Sequence, residues 1–138
     1  MTPDVEKGIA EIQHAFAGHG VETVETGDGG AYVIVADLDL GPAFVPRSSW
    51  IGFTLPYNYP LADVYPHFAC PDLATADGTP LPTPPLNSGQ SMPGFNRPAT
   101  MVSRRSPRWN PAHDTAALKL MRIIGWFAEQ AAQTRAAA

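Results

Sequence analysis

Fifteen prolines punctuate this 138-residue chain, and fourteen of them lie between Pro42 and Pro111. Proline has no N–H to give to a helix, and its ring clashes with the carbonyl of the preceding turn. Long helices are therefore excluded from the middle of the chain and left to its two ends. The length fits one domain, residues 1–138. At 44% hydrophobic and 16% charged, the chain can bury a core of its own and is not disordered.

The ends carry the helix signals. Thr2 is a capping type and Pro3 suits the first helical position, while Asp4 and Glu6 favour the positive end of the helix dipole. Val5, Ile9, Ile12 and Phe16 fall on one face, and Gly18 and Gly20 close a helix predicted over 2–19. A second helix is expected to open at Asn110-Pro111, with Ala117, Met121, Ile124, Ala128 and Ala131 on one face, flanked by Leu120, Ile123 and Phe127.

Between the helices, strands are predicted over 21–26, 31–40, 48–55 and 67–70, the first two joined by the turn Gly27-Asp28-Gly29-Gly30. In the third, Ile51, Phe53 and Leu55 share one face and Trp50, Gly52 and Thr54 the other. Residues 71–108 read as one long irregular, Pro-rich loop, and a loop of that length is usually functional or disordered. The expected class is α+β: an N-terminal helix, a four-stranded antiparallel meander, the long loop, then a C-terminal helix.

Charge is unevenly placed. Residues 1–77 carry eleven acids and two bases, residues 78–138 seven bases and two acids, and the net charge is −4. Arg97, Arg104, Arg105 and Arg108 form a small basic group, too small for a nucleic-acid groove but suited to an acidic protein partner. The single cysteine, Cys70, excludes an internal disulfide and the Cys-rich zinc sites. No metal-ligand cluster, phosphate loop or cofactor motif is present. No apolar run is long enough to span a membrane and no signal peptide heads the chain, so a cytoplasmic location is expected.

Two motifs resemble the ubiquitin-conjugating (UBC) superfamily. In 51–73 a strand ends in a Tyr-Pro turn, Tyr59-Pro60, and a short strand resumes after Pro66. In 103–127, Trp109 and Pro111 resemble the Trp-x-Pro that opens the helix after the active site in that fold. Ser103-Arg104, Trp109, Pro111 and Asp114 together look most like the bacterial branch called prokaryotic family E. The resemblance implies a UBC-like fold and a role in ubiquitin-like conjugation, in bacterial settings that include antiphage defence. The implied partners are a ThiF-like activating enzyme, a ubiquitin-like modifier and, in the same pathway, a JAB-type peptidase. The implied activity is an acyl transfer that needs no cofactor: the modifier's C-terminus held as a thioester on cysteine, then passed to an amine. The chain departs from the eukaryotic pattern in two ways. Met101 stands where the catalytic cysteine is usual, eight residues before the tryptophan, and the His-Pro-Asn tripeptide is missing.

Cys70 is then the candidate nucleophile, its alternative being a small buried hydrophobe. Asp72 nearby opposes a thiolate, so a catalytic Cys70 requires Arg97, Arg104, Arg105 or His113 to approach it. His113, in the first turn of the last helix, is the candidate base. His67 is expected to point away from Cys70, as a surface or hydrogen-bonded residue, and His14 and His19 to be solvated. Ser103, Arg104, Arg105, Trp109 and Asp114 are candidate binding residues: Arg104 for a carboxylate, Ser103 as a nucleophile only beside a base, and Asp114 as a cap or a partner for Arg104 or Arg108. Asn58, Asn87 and Asn96 are possible oxyanion donors. The alternative to a transferase is a noncatalytic module of the ubiquitin-conjugating-variant type, which binds the modifier or the activating enzyme.

Overall fold

The computed structural model describes residues 1–137, and the side chains of residues 1–131. Helix α1 (Pro3–Ala15) starts where the Thr2 hydroxyl accepts the Val5 N–H at 3.1 Å. Val5, Ile9, Ile12 and Phe16 are buried as the spacing predicts. Gly8 lies among them, and a Cβ there would stand 2.8 Å from the Tyr59 ring, so α1 rests directly on that ring.

Strands β1 (Val21–Glu25), β2 (Ala31–Asp39), β4 (Ser48–Leu55) and β5 (His67–Ala69) run as an antiparallel meander. Pairing of Val35 with Ile51, Val33 with Phe53 and Ala31 with Leu55 puts these apolar residues in cross-strand contact on one face. Both helices cover that face: α1 and α2 (Ala116–Ala137) share its core. The class is α+β, with a helix at each end and an antiparallel sheet between.

The 71–108 segment is not irregular. It contains β6 (Ala74–Thr75), which pairs with β3 (Phe44–Val45) in a small separate ribbon. It also contains the hairpin β7 (Leu86–Met92) and β8 (Arg97–Val102), which extends the sheet to six strands in the order β1-β2-β4-β5-β8-β7. The signal was weak because β7 is an edge strand: only Leu86 and Met92 of its seven residues are buried. Pro98 is tolerated in β8 because the pairing with β5 stops at Thr100, which leaves no neighbour on that side to need its missing N–H.

The hairpin also curls. The β7–β8 register shifts between Asn87 and Gln90, with Gly89 in the left-handed region. The tip thereby folds over the outer face of the sheet, where Ile34, Phe68, Met92 and Ala99 form a second small core beside Tyr32, Trp50, Phe95 and Met101. Contact is close: a Cβ on Gly52 would meet Met92 Sδ at 2.9 Å, and one on Gly94 would overlap the Tyr32 ring.

Helix α2 departs from expectation at its start and in its facing. Asn110-Pro111 opens a separate turn, closed by the Asp114 N–H to the Asn110 carbonyl (2.7 Å), and the cap is Thr115, whose hydroxyl accepts the Leu118 N–H at 3.1 Å. The buried stripe is Ala116, Leu120, Ile123 and Phe127, with Ala117 and Ala131 beside it, while Met121 and Ala128 are exposed. The helix is apolar around more than half of its girth, and the larger side chains Leu120, Ile123 and Phe127 decide which side faces the sheet.

Gly94→Ala tests the hairpin seat, since Gly94 has φ +82° as well as no room for a Cβ. A loss of about 2–4 kcal/mol in urea denaturation is expected, from left-handed strain plus the clash. Gly78→Ala, at φ +77° with open space around it, should lose only the backbone part, about 1–2 kcal/mol.

Candidate functional site

The Tyr-Pro turn and the Trp-x-Pro segment meet in space. Trp109 Nε1 donates to the Pro60 carbonyl at 2.7 Å, and the Tyr59 hydroxyl accepts the Ala116 N–H, in the first turn of α2, at 2.9 Å. Tyr59 and Trp109 thus anchor the start of α2 through polar tips as well as through packing.

Cys70 follows β5 at 8% exposure. Its N–H donates to Ser49 Oγ at 3.0 Å, and that hydroxyl donates to the Trp50 carbonyl at 2.6 Å. Cys70 lines an open cleft of about 340 Å³ with Ser49, Trp50, Glu22, Asp37 and Arg97. The cleft sits at a bulge in β2, where the register shifts between Val35 and Leu38 and Asp37 takes φ +57°. Of the four groups sought near Cys70, Arg97 lines this cleft, but its guanidinium lies over Trp50 and Phe95, 5.1 and 5.9 Å from the ring centroids. Burial pushes the thiol above its ordinary pKa; hydrogen bonding with Ser49 opposes this, and the Asp72 carboxylate adds to it. The group is a neutral thiol at physiological pH.

The other candidates lie apart from it. His113 is exposed in the turn that precedes α2, outside its first turn, and does not line the Cys70 cleft. The Ser103 N–H donates to the Pro85 carbonyl at 2.9 Å, and its hydroxyl has no hydrogen-bond partner among the described residues, so no base activates it. Asp114 pairs with Arg122 and accepts the Asn110 N–H at 2.7 Å; these two contacts hold its carboxyl below the usual range. Arg104 lies over the Trp126 ring (5.4 Å) and Arg105 over Tyr65 (3.9 Å). Asn58, Asn87 and Asn96 are not among the residues lining the Cys70 cleft. Met101 is on β8, opposite Phe68. His19 is not simply solvated, since its Nδ1 bonds the Ala36 carbonyl oxygen at 3.0 Å.

His67 is the larger correction. Its ring is fully buried, 5.2 Å from that of Phe53, and neither nitrogen has a hydrogen-bond partner among the described residues. Burial, reinforced by the charge of Lys119, lowers its pKa to about 3. Lys119 was not singled out in the sequence. It is 2% exposed, and its ammonium reaches both Asp63 oxygens (2.9 and 3.1 Å) and Ser106 Oγ (2.6 Å), while the Ser106 N–H also donates to Asp63 at 2.6 Å. A signal existed: Lys119 falls on the stripe of Ala116, Leu120 and Ile123, and a cation there needs a buried partner.

Alkylation of Cys70 by iodoacetamide should be slow at pH 7 and rise only above the ordinary thiol pKa of ~8.5, unchanged by Arg97→Ala. A fast reaction at pH 7 that Arg97→Ala slows would show an activated thiolate instead. His67 should make stability pH-dependent. Its pKa is depressed by folding, so the contribution is full above about 6.5 and is lost as the pH falls towards 3, because the unfolded chain takes up the proton first. Between pH 7.5 and 5, above the carboxylate range, urea denaturation should show a loss of about 2 kcal/mol that His67→Leu abolishes.

No protein-family model, curated protein or solved structure matches this chain, so the chemistry of the site rests on its own residues.

Proposed function

We propose that this chain is a UBC-like module of a bacterial ubiquitin-like conjugation pathway, and that it binds its partner protein without a covalent bond. The observation that carries the noncovalent reading is the setting of its one thiol: Cys70 is buried beside Asp72, burial and the carboxylate both push its pKa up, and Arg97 is turned onto aromatic rings. Support for the UBC-like reading comes from the order of helix, meander and helix, and from the bonds that join Tyr59-Pro60 to Trp109 and Ala116. The partner is the ubiquitin-like modifier or its ThiF-like activating enzyme; a JAB-type peptidase would act on the same modifier.

A second reading keeps Cys70 as the carrier. Its favouring observation is that the thiol borders an open cleft rather than a sealed core. In that reading the thiolate attacks the activated C-terminal carbonyl of the modifier, AMP leaves and a thioester forms; an amine then displaces the thiolate. The test is to mix the chain with the activating enzyme, the modifier and ATP, followed by a non-reducing gel and size-exclusion chromatography. Co-elution with the modifier or the enzyme, without a thiol-sensitive adduct and unchanged by Cys70→Ala, is expected. A thiol-sensitive adduct that Cys70→Ala abolishes would establish the carrier and overturn the noncovalent reading.

A further inference from the structure

We infer that the cleft between the 103–108 loop and α2 is a docking site for an acidic peptide segment of a partner protein. The inference stands on the arginines alone and does not rest on the pathway proposed above.

The cleft, about 480 Å³ and open, is lined by Arg105, Ser106, Pro107, Arg108, Asp114 and Arg122. Three arginines and one aspartate line it, an excess of two positive charges on a chain whose net charge is −4. Most of the acids lie in residues 1–77, and the nearby cation Lys119 is already matched by Asp63. The loop and two of the guanidiniums are also held in place. The loop is fixed by the Ser103 N–H to Pro85, by Ser106 to both Asp63 and Lys119, and by the Trp109 N–H to the Ser106 carbonyl. Arg105 is seated on Tyr65 and Arg122 is tethered by Asp114. The Arg108 guanidinium has no hydrogen-bond, ion-pair or ring partner among the described residues. Like charges lining one cleft repel, and an anionic partner relieves them.

Carboxylates fit better than a phosphate. Phosphate sites gather backbone N–H groups around one anion. Of the lining N–H groups, that of Ser106 is taken by Asp63 and that of Asp114 by the Asn110 carbonyl, and beside the cleft the Trp109 and Asn110 N–H groups are taken by the Ser106 carbonyl and Asp114. The arginines come from two different elements, and guanidinium forks so spaced match separate carboxylates in bidentate fashion. The openness of the cleft suits groups presented by another chain.

The test is fluorescence anisotropy with a labelled Glu- and Asp-rich decapeptide, run against its Gln/Asn counterpart and inorganic phosphate. The acidic peptide should bind and its counterpart should not, and affinity should fall about tenfold or more from 50 to 300 mM NaCl. Arg108→Glu and the double variant Arg108→Glu/Arg122→Gln should each weaken binding about tenfold or more while keeping the wild-type circular dichroism and urea midpoint. Arg47→Glu, a distant exposed arginine, should leave binding unchanged. Equal binding of both peptides, affinity unaffected by Arg108→Glu, or displacement of the peptide by micromolar inorganic phosphate would each overturn the inference.

Discussion

The ammonium of Lys119 is the group on which the rest of this architecture depends. A buried cation is tolerated only where its charge is matched and its protons are bonded, since leaving it bare costs several kcal/mol. Asp63 and Ser106 meet that demand together. In doing so they tie the segment between β4 and β5 and the segment between β8 and α2 to one point on the last helix. Segments that lack a ladder of their own are thereby held like secondary structure. Tyr59 and Trp109 add a second tie a few residues away, so the start of α2 is fixed by side chains rather than by a long preceding turn.

Burial keeps His67 neutral, and the charge of Lys119 reinforces this. Its imidazole lies in the core beneath α2 with no acceptor for a proton among the described residues, and a cation nearby makes a second positive charge less favourable still. Thr100 is its diagonal neighbour on β8, because Ala69 faces Thr100 and His67 faces Val102, and its hydroxyl is also buried without a partner among the described residues. Two polar groups therefore sit on the core face of β5 and β8, where apolar residues would cost less. The sheet is held there by its ladder and by Phe53, not by bonds from these side chains.

Local patterns in the sequence carried the first helix, the meander and the α+β class, because apolar periodicity there was strong and uninterrupted. Thr2 caps as its residue type suggests, and Ile51, Phe53 and Leu55 face inward as their alternation requires. The hairpin was illegible for the opposite reason. β7 is Ser-, Asn- and Gly-rich at a sheet edge, and β8 contains a proline whose tolerance depends on where a neighbouring strand stops. The start of α2 was misplaced because Asn110 and Thr115 are both good caps; the carboxylate of Asp114, which bonds back to Asn110, selects a separate turn. For the candidate site, sequence named Cys70 and the arginines, but only coordinates show Arg97 on Trp50, Arg105 on Tyr65 and Arg122 completing the basic cleft.

The state of Cys70 follows from where its strand ends and from what surrounds it there. β5 ends at Ala69, so no ladder continues past the thiol, and the bulge in β2 leaves an opening beside it. What lies across that opening is the tip of β7–β8, brought over by the bend at Gly89 and held by Met92 on Gly52, Gly94 on Tyr32 and Arg97 on Trp50. The tip contributes a guanidinium to the cleft, yet the aromatic rings hold that group, and a charge seated on a ring face is poorly placed to stabilise a thiolate. Burial and Asp72 then decide the protonation of the sulfur. The edge hairpin thus closes one side of the cleft without activating the thiol, whose chemistry is set by its place in the main core and by Ser49 and Asp72.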